Sequence, residues 1–302
     1  MEARQPSSKS CTQCHGRMYL YERRGEHAAA VPCTCIAQCP RCEGRGYVYG
    51  SREETFSQKV GPKTYDVLSP CSCRLLDKRL ARFNEADIPA VLAGADFESY
   101  RPHNSEQARA KETVMEFAFR YPDGRGFVLS GSVGTGKTHL LVAALAHAIV
   151  EKGARAQYVE VSLLYATIRR GFQEGKSGGE IIGPLSEVEL LAIDELGKGR
   201  GSPFEMETLD ELIARRYNAG RATLFATNFS LAPPEARRGG YRSTEDLKSA
   251  AKESHQLSDR VGERIFSRLS EMCQFVELPP GTPDMRRMRH ETASTHARRP
   301  RK

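Results

Sequence analysis

The segment Gly131-Ser132-Val133-Gly134-Thr135-Gly136-Lys137-Thr138 constrains this 302-residue chain more than any other. It has the form G-x-x-x-x-G-K-T, whose glycines let backbone N–H groups turn inward around phosphate oxygens. Lys137 would place its ammonium on the β and γ phosphates of ATP, and Thr138 would offer its hydroxyl to Mg²⁺. The flanks agree. Residues 126–130 (GFVLS) form a short apolar run, and Leu140, Leu141, Ala144, Leu145 and Ala148 follow at helical spacing up to Gly153. Strand, turn and helix in that order predict an α/β domain with a parallel sheet flanked by helices.

Three later segments extend the site. Residues 190–195 (LLAIDE) read as a buried strand ending in paired carboxylates, as a Walker B segment does. Asp194 would hold Mg²⁺ through water, and Glu195 would polarise the water that attacks the γ phosphate. Residues 223–228 (TLFATN) read as another apolar strand, with the amide of Asn228 placed to orient that water. Between them, Ser202-Pro203-Phe204-Glu205 predicts a capping box opening a helix that buries Leu209, Leu212, Ile213 and Tyr217 and stops at Gly220. Residues 257–272 read as one helix carrying Arg260, Arg264 and Arg268 as a basic stripe, with Asp259, Glu263 and Glu271 as its expected partners.

Eight of the nine cysteines lie between Cys11 and Cys73 and form an internal repeat. The first copy is CTQCHGRMYLY closing with Cys33 and Cys35; the second is CPRCEGRGYVY closing with Cys71 and Cys73. Each C-x-x-C pair predicts a tight knuckle, with Gly16 or Gly44 giving the backbone freedom the turn needs, and each Tyr-rich stretch predicts a strand leading out and back. Four thiolates per copy suit structural Zn²⁺, in preference to an iron–sulfur cluster or cystines. Sequential pairing joins Cys11, Cys14, Cys33 and Cys35, then Cys39, Cys42, Cys71 and Cys73; the short spacer 36–38 also permits a nested pairing. His15 is expected to be exposed, and Cys273 to be a small core residue.

Charge divides the chain further. Residues 1–90 carry 14 basic and 10 acidic groups, residues 91–280 carry 24 and 26, and residues 281–302 carry 7 and 2. The overall net charge of +7 therefore belongs to the ends, and nucleic-acid contact by the near-neutral middle must rest on a few local groups. The longest apolar stretch, 140–150, falls short of the ~20 residues of a membrane-spanning helix. With no apolar core near the N-terminus either, a cytoplasmic protein is expected, without membrane contact. The expected organisation is a cysteine-rich zinc module at 1–74, a connector at 75–110 whose start falls in the amphipathic run RLLDKRLARF (74–83), a nucleotide-binding domain at 111–287, and a basic tail at 288–302. Tyr19, Tyr21, Tyr47 and Tyr49 lie near Arg17, Arg23, Arg24, Arg41 and Arg45, a mixture suited either to stacking on bases or to packing a small core.

From about Leu75 to Arg287 the chain resembles the AAA+ ATPases of the DnaC/DnaI helicase-loader and IstB group. The residues that carry the resemblance are GSVGTGKTHLLVA, LLAIDELG, LDELIARRYNAG, ATN and VGERIFSRLSEM. It implies sensor 1 at Asn228, a trans-acting arginine finger at Arg268 supported by Arg264, and a sensor 2 arginine at Arg286 or Arg287. It also implies ATP hydrolysis, assembly into a ring or spiral, and loading of the replicative helicase onto single-stranded DNA. An IstB-like transposition helper is the alternative within the fold, and a zinc adaptor using its nucleotide site as a switch is the alternative outside catalysis. An N-terminal zinc domain is similar to that of DnaI-like loaders, and IstB-like helpers usually lack one. The C-x-x-C-x-G-x-G form of residues 39–46 is also similar to the cysteine-rich module of DnaJ chaperones, although no J-domain sequence accompanies it. Residues 230–256 form a longer polar insertion than the group's pattern, with the expectation that they disturb the spacing before the finger helix.

Overall fold

The computed structural model describes residues 11–39, 41–55, 61–231, 256–278, 282 and 284. Its centre is a five-stranded parallel sheet in the order β6-β7-β8-β5-β9. The strands are β5 (Gly126–Gly131), β6 (Ala156–Glu160), β7 (Leu190–Asp194), β8 (Ala222–Thr227) and β9 (Cys273–Leu278). Their near-continuous apolar runs are what burial on both faces requires. Side chains alternate between two cores: Phe127 and Leu129 of β5 point into one, and Val128 into the other.

On the first face lie α1 (Ser72–Asn84), α2 (Ser105–Arg120) and α3 (Lys137–His147). Helix α3 is buried on nearly every side, from Leu140 to Ala146, and passes through a π-helical turn (Ala148–Lys152) to a left-handed cap at Gly153, where the apolar spacing predicted its end. On the second face lie α4 (Val161–Gln173), α5 (Gly178–Glu187), α6 (Pro203–Asn218), α7 (Leu257–Val261) and α8 (Glu263–Met272). The capping box at Ser202 and Glu205 opens α6 as the sequence predicts. Cys273 is a buried residue of β9, as expected.

Residues 257–272 are not one helix. Gly262, at φ 82° and ψ 153°, separates α7 from α8, so the three arginines do not form a single stripe. Arg260 instead donates to the carbonyls of Gly197 (3.1 Å) and Gly199 (2.6 Å), while Arg264 and Arg268 turn to Asp210 of α6. Glu271 accepts from Tyr217 at 2.6 Å. Most of the insertion, residues 232–255, lies outside the described residues. Its described flanks meet: Ser230 bridges Gln256, and the Leu257 N–H reaches the Ser230 carbonyl at 2.9 Å.

Arg216 fastens the lower end of the second core. It is fully buried on α6 and donates to the Thr223 hydroxyl and to the carbonyls of Leu185, Ser186, Val188 and Ala222 at 2.6–3.5 Å. Removing it orphans several buried acceptors at once, each costing about 1–3 kcal/mol. Arg216→Met is therefore expected to destabilise the chain by about 3 kcal/mol or more, read from its urea midpoint, while a shift under about 0.5 kcal/mol would contradict this account.

The two cysteine repeats fold alike and dock differently. The first forms a hairpin of β1 (Tyr19–Arg24) and β2 (His27–Pro32), the second a hairpin of β3 (Tyr47–Thr55) and β4 (Pro62–Pro70). The first belongs to the core of the sheet's first face: Tyr19, Ala28 and Ala30 join Leu76, Leu80 and Phe83 of α1. Tyr21 packs on Tyr19 and on Phe83, so the tyrosines of this copy are packing residues. In the second copy Tyr47 lies under Arg74, and Tyr49 is 79% exposed.

Candidate nucleotide site and zinc centres

The parallel register brings the ends of four strands together. Ser130 lies beside Thr227, and Glu160 is opposite Asp194. A cavity of about 820 Å³ opens there, lined by Gly134, Gly136, Lys137, Thr138, Asp194, Glu195 and Asn228. The phosphate loop, Asp194, Glu195 and Asn228 therefore converge at the carboxyl ends of the strands, where α/β proteins bind ligands.

The loop has the shape of an anion cradle. Gly134 sits at φ 84°, a left-handed conformation that favours glycine, with the Asp284 carboxylate packed against it. Lys137 donates to the loop carbonyls of Gly131 (2.8 Å) and Ser132 (2.7 Å), the folded-back position from which it can reach a phosphate. The Thr138 hydroxyl donates to Asp194 at 2.9 Å, which brings together the two side chains expected around Mg²⁺. Both Tyr158 and Thr138 donate to the same Asp194 oxygen, fixing that carboxylate, and the role of Tyr158 escapes sequence reading because it depends on β6 lying next to β7. These residues fit a magnesium nucleotide.

Glu195 adopts a left-handed φ of 56° at the end of β7. It is paired with Lys198, which also reaches Glu160 at 3.5 Å. Burial and the neighbouring Glu160 carboxyl push the Glu195 pKa above the usual range, and Lys198 acts against them. The side wall is formed by Val91, Leu92, Ala93, Gly94 and Ala95, which the sequence placed in a connector. The apolar run between Pro89 and Gly94 was the available signal. Arg268 is 25% exposed and bound to Asp210 at 2.5 Å; Arg264 is 76% exposed and reaches the same carboxylate at 3.4 Å. Arg286 and Arg287 lie outside the described residues, although Asp284 touches the phosphate loop.

The eight cysteines gather in sequential sets, Cys11, Cys14, Cys33 and Cys35, and Cys39, Cys42, Cys71 and Cys73, each within 4.8 Å. The nested pairing is excluded. Opposed sulfurs stand 3.5–3.8 Å apart. Zn–S bonds near 2.3 Å place tetrahedral thiolates about 3.8 Å apart, so each set can hold one Zn²⁺. Gly16 and Gly44 take φ 86° and 82° in the knuckles, and the backbone N–H groups of Met18 and Gly46 donate to Cys14 and Cys42 at 3.3 Å. Backbone N–H groups of Cys14 and Gln13 draw the Cys11 thiol down to about 6. Burial works against the Cys42 thiolate, but the Gly46 N–H and nearby thiols bring it to about 7, while burial pushes Cys39 and Cys73 of the same set up.

Comparison with known proteins agrees with this geometry. The profile of the family described as "IstB-like ATP binding protein" matches residues 74–239. The replicative helicase loader DnaC of Escherichia coli (strain K12) is 29% identical over 152 residues, 49% of this chain and 61% of that protein. The uncharacterized protein YdaV of the same strain is 28% identical over 148 residues, 49% of this chain and 59% of that one. The chain thus spans about three-fifths of the length of the curated relatives it matches. The crystal structure of the DnaC helicase loader superposes with a TM-score of 0.51 at 28% identity, covering 63% of this chain and 99% of that one. Among the described residues no helix is long and apolar enough to cross a membrane. The chain belongs to the IstB-like ATP-binding protein family, with the nucleotide-binding AAA+ fold of the IstB/DnaC group.

Proposed function

We propose that this chain is a cytoplasmic, ATP-hydrolysing loader of the replicative helicase onto single-stranded DNA, acting as a ring or spiral of its own copies. Two observations support it together: the phosphate loop, Asp194, Glu195 and Asn228 line one cavity, and the matched 152 residues belong to a protein named as a helicase loader. In this reading Gly131, Ser132, Val133, Gly134, Thr135 and Gly136 wrap the phosphates and Lys137 moves from its loop carbonyls onto them. Thr138 and Asp194 hold Mg²⁺, which supplies charge neutralisation on the phosphate oxygens. Glu195 takes the proton of the attacking water, and Asn228 orients that water. Arg268 leaves Asp210 to reach the nucleotide of a neighbouring copy, with Arg264 beside it, and Arg286 or Arg287 reads the nucleotide in cis. Two structural Zn²⁺ ions hold the cysteine repeats, and the exposed second hairpin contacts the helicase.

Purification of the tagged chain from its native cell tests the partner. The replicative helicase is expected to co-purify and to be lost on Cys39→Ser; a transposase in its place would overturn the loader reading.

The Glu160, Glu195 and Lys198 group adds a pH test. Glu160 raises the Glu195 pKa and Lys198 lowers it. A base with a raised pKa is lost by protonation at higher pH. Glu160→Gln is therefore expected to move the acid limb of the turnover profile to lower pH, and Lys198→Ala to move it to higher pH. Shifts in the same direction would contradict the assignment of Glu195 as the base.

A further inference from the structure

We propose that the first zinc ribbon is part of the nucleotide site, holding the apolar wall of the cavity in place through Arg17 and Asp96, so that the first four-cysteine centre and nucleotide binding strengthen one another. The proposal rests on the nucleotide reading above and goes beyond the docking role assigned to the second hairpin.

The Ala28 N–H donates to the Ile88 carbonyl at 2.7 Å, and the Ala90 N–H donates to the Glu26 carbonyl at 2.8 Å. His27 and Pro89 pair as an antiparallel bridge. Residues 88–90 thus run as a short extra strand on the β1–β2 hairpin, and the next residues, Val91 to Ala95, line the cavity. The wall has no secondary structure of its own beyond one 3₁₀ turn (Ala90–Leu92). Its position is set by what it leans on.

The side chains continue the connection. Arg17 follows the first knuckle by three residues and donates to Asp96 at 2.6 Å, with side-chain exposures of 32% and 20%. Asp96 also accepts from the Ser99 N–H at 2.7 Å, and its own carbonyl accepts from His139 Nε2 at 2.9 Å. His139 adjoins Thr138 on α3, and the Ser99 hydroxyl stands 3.2 Å from the same ring nitrogen. Tyr100, next along the chain, donates to the Thr135 carbonyl of the phosphate loop at 3.3 Å. An unbroken series of contacts therefore runs from the Cys14 knuckle through Arg17, Asp96 and His139 to the loop. The second hairpin differs: β3 and β4 form a two-stranded sheet whose residues lie mostly in solvent.

If the folded ribbon positions the wall and the loop, linkage requires the reverse effect with the same factor. Two readings on the full chain loaded with zinc test this. Affinity for a fluorescent ATP analogue with Mg²⁺ is expected to fall roughly tenfold in Cys14→Ser and about fivefold in Arg17→Ala, to recover partly in Arg17→Lys, and to stay within about twofold in Cys42→Ser. Zinc release from the unmutated chain to a colorimetric chelator needs no variant: ATP is expected to slow one of the two zinc ions and leave the other unchanged. Unaltered affinity in Arg17→Ala, or release of both ions at rates indifferent to bound ATP, would overturn the coupling while leaving the nucleotide site intact. A chain that binds no ATP analogue at all removes the nucleotide reading, and the coupling with it.

Discussion

Glu195→Gln is expected to lower ATP turnover by about 10²- to 10⁴-fold while leaving affinity for ATP within a few-fold of the unmutated chain. The asymmetry follows from where the side chain sits. Glu195 lines the cavity at the end of β7, one residue beyond the carboxylate that joins Thr138, so it can act on water without contributing to the phosphate cradle. Glutamine keeps the size and the contact to Lys198 but cannot take a proton. Turnover measured by phosphate release, beside affinity measured by equilibrium titration, checks the split. Equal losses in both would mean that Glu195 holds the nucleotide rather than the water.

Arg268→Ala is expected to lower turnover by about 10³-fold, and the loss is expected to be shared between copies. Arg268 lies on α8, bound across to Asp210 of α6. A mixture of Arg268→Ala and Lys137→Ala chains tests the sharing. Lys137→Ala empties its own site but retains an arginine for a neighbour; Arg268→Ala retains its own cradle but has no finger to give. Mixed assemblies therefore contain some complete sites, and turnover above that of either variant alone is expected. A mixture no more active than its better component would remove the trans-acting role.

How much of this was legible in the sequence depends on the range of each contact. The phosphate loop, the Walker B acids and the capping box at Ser202 are local constellations, and each appears where its residues predicted it. The zinc pairing needed the two hairpins before the sequential sets could be chosen over nested ones. The apparent arginine stripe failed because helical spacing was carried through Gly262, whose positive φ ends one helix and turns Arg260 toward the loop after β7. Tyr158 and Glu160 became site residues only through the register that sets Glu160 opposite Asp194. The contact between Arg17 and Asp96 spans 79 residues and leaves no periodic trace in the sequence. On sequence alone the first repeat falls in the zinc module at 1–74 and the wall at 91–95 in the connector.

The charge division has a mechanical counterpart. With residues 91–280 near neutral, net charge does not draw a nucleic acid to the nucleotide-binding domain. In the proposed reading, DNA contact would rest instead on local arginines and backbone amides that assembly lines up.

In the proposed function, nucleotide held by the phosphate loop lets this chain place a helicase on single-stranded DNA. Its most direct test is retention of the native cell's purified replicative helicase on immobilised single-stranded circular DNA. Retention is expected to require both this chain and ATP and to be abolished by Lys137→Ala. Retention that is the same without the chain, or the same with Lys137→Ala, would contradict it.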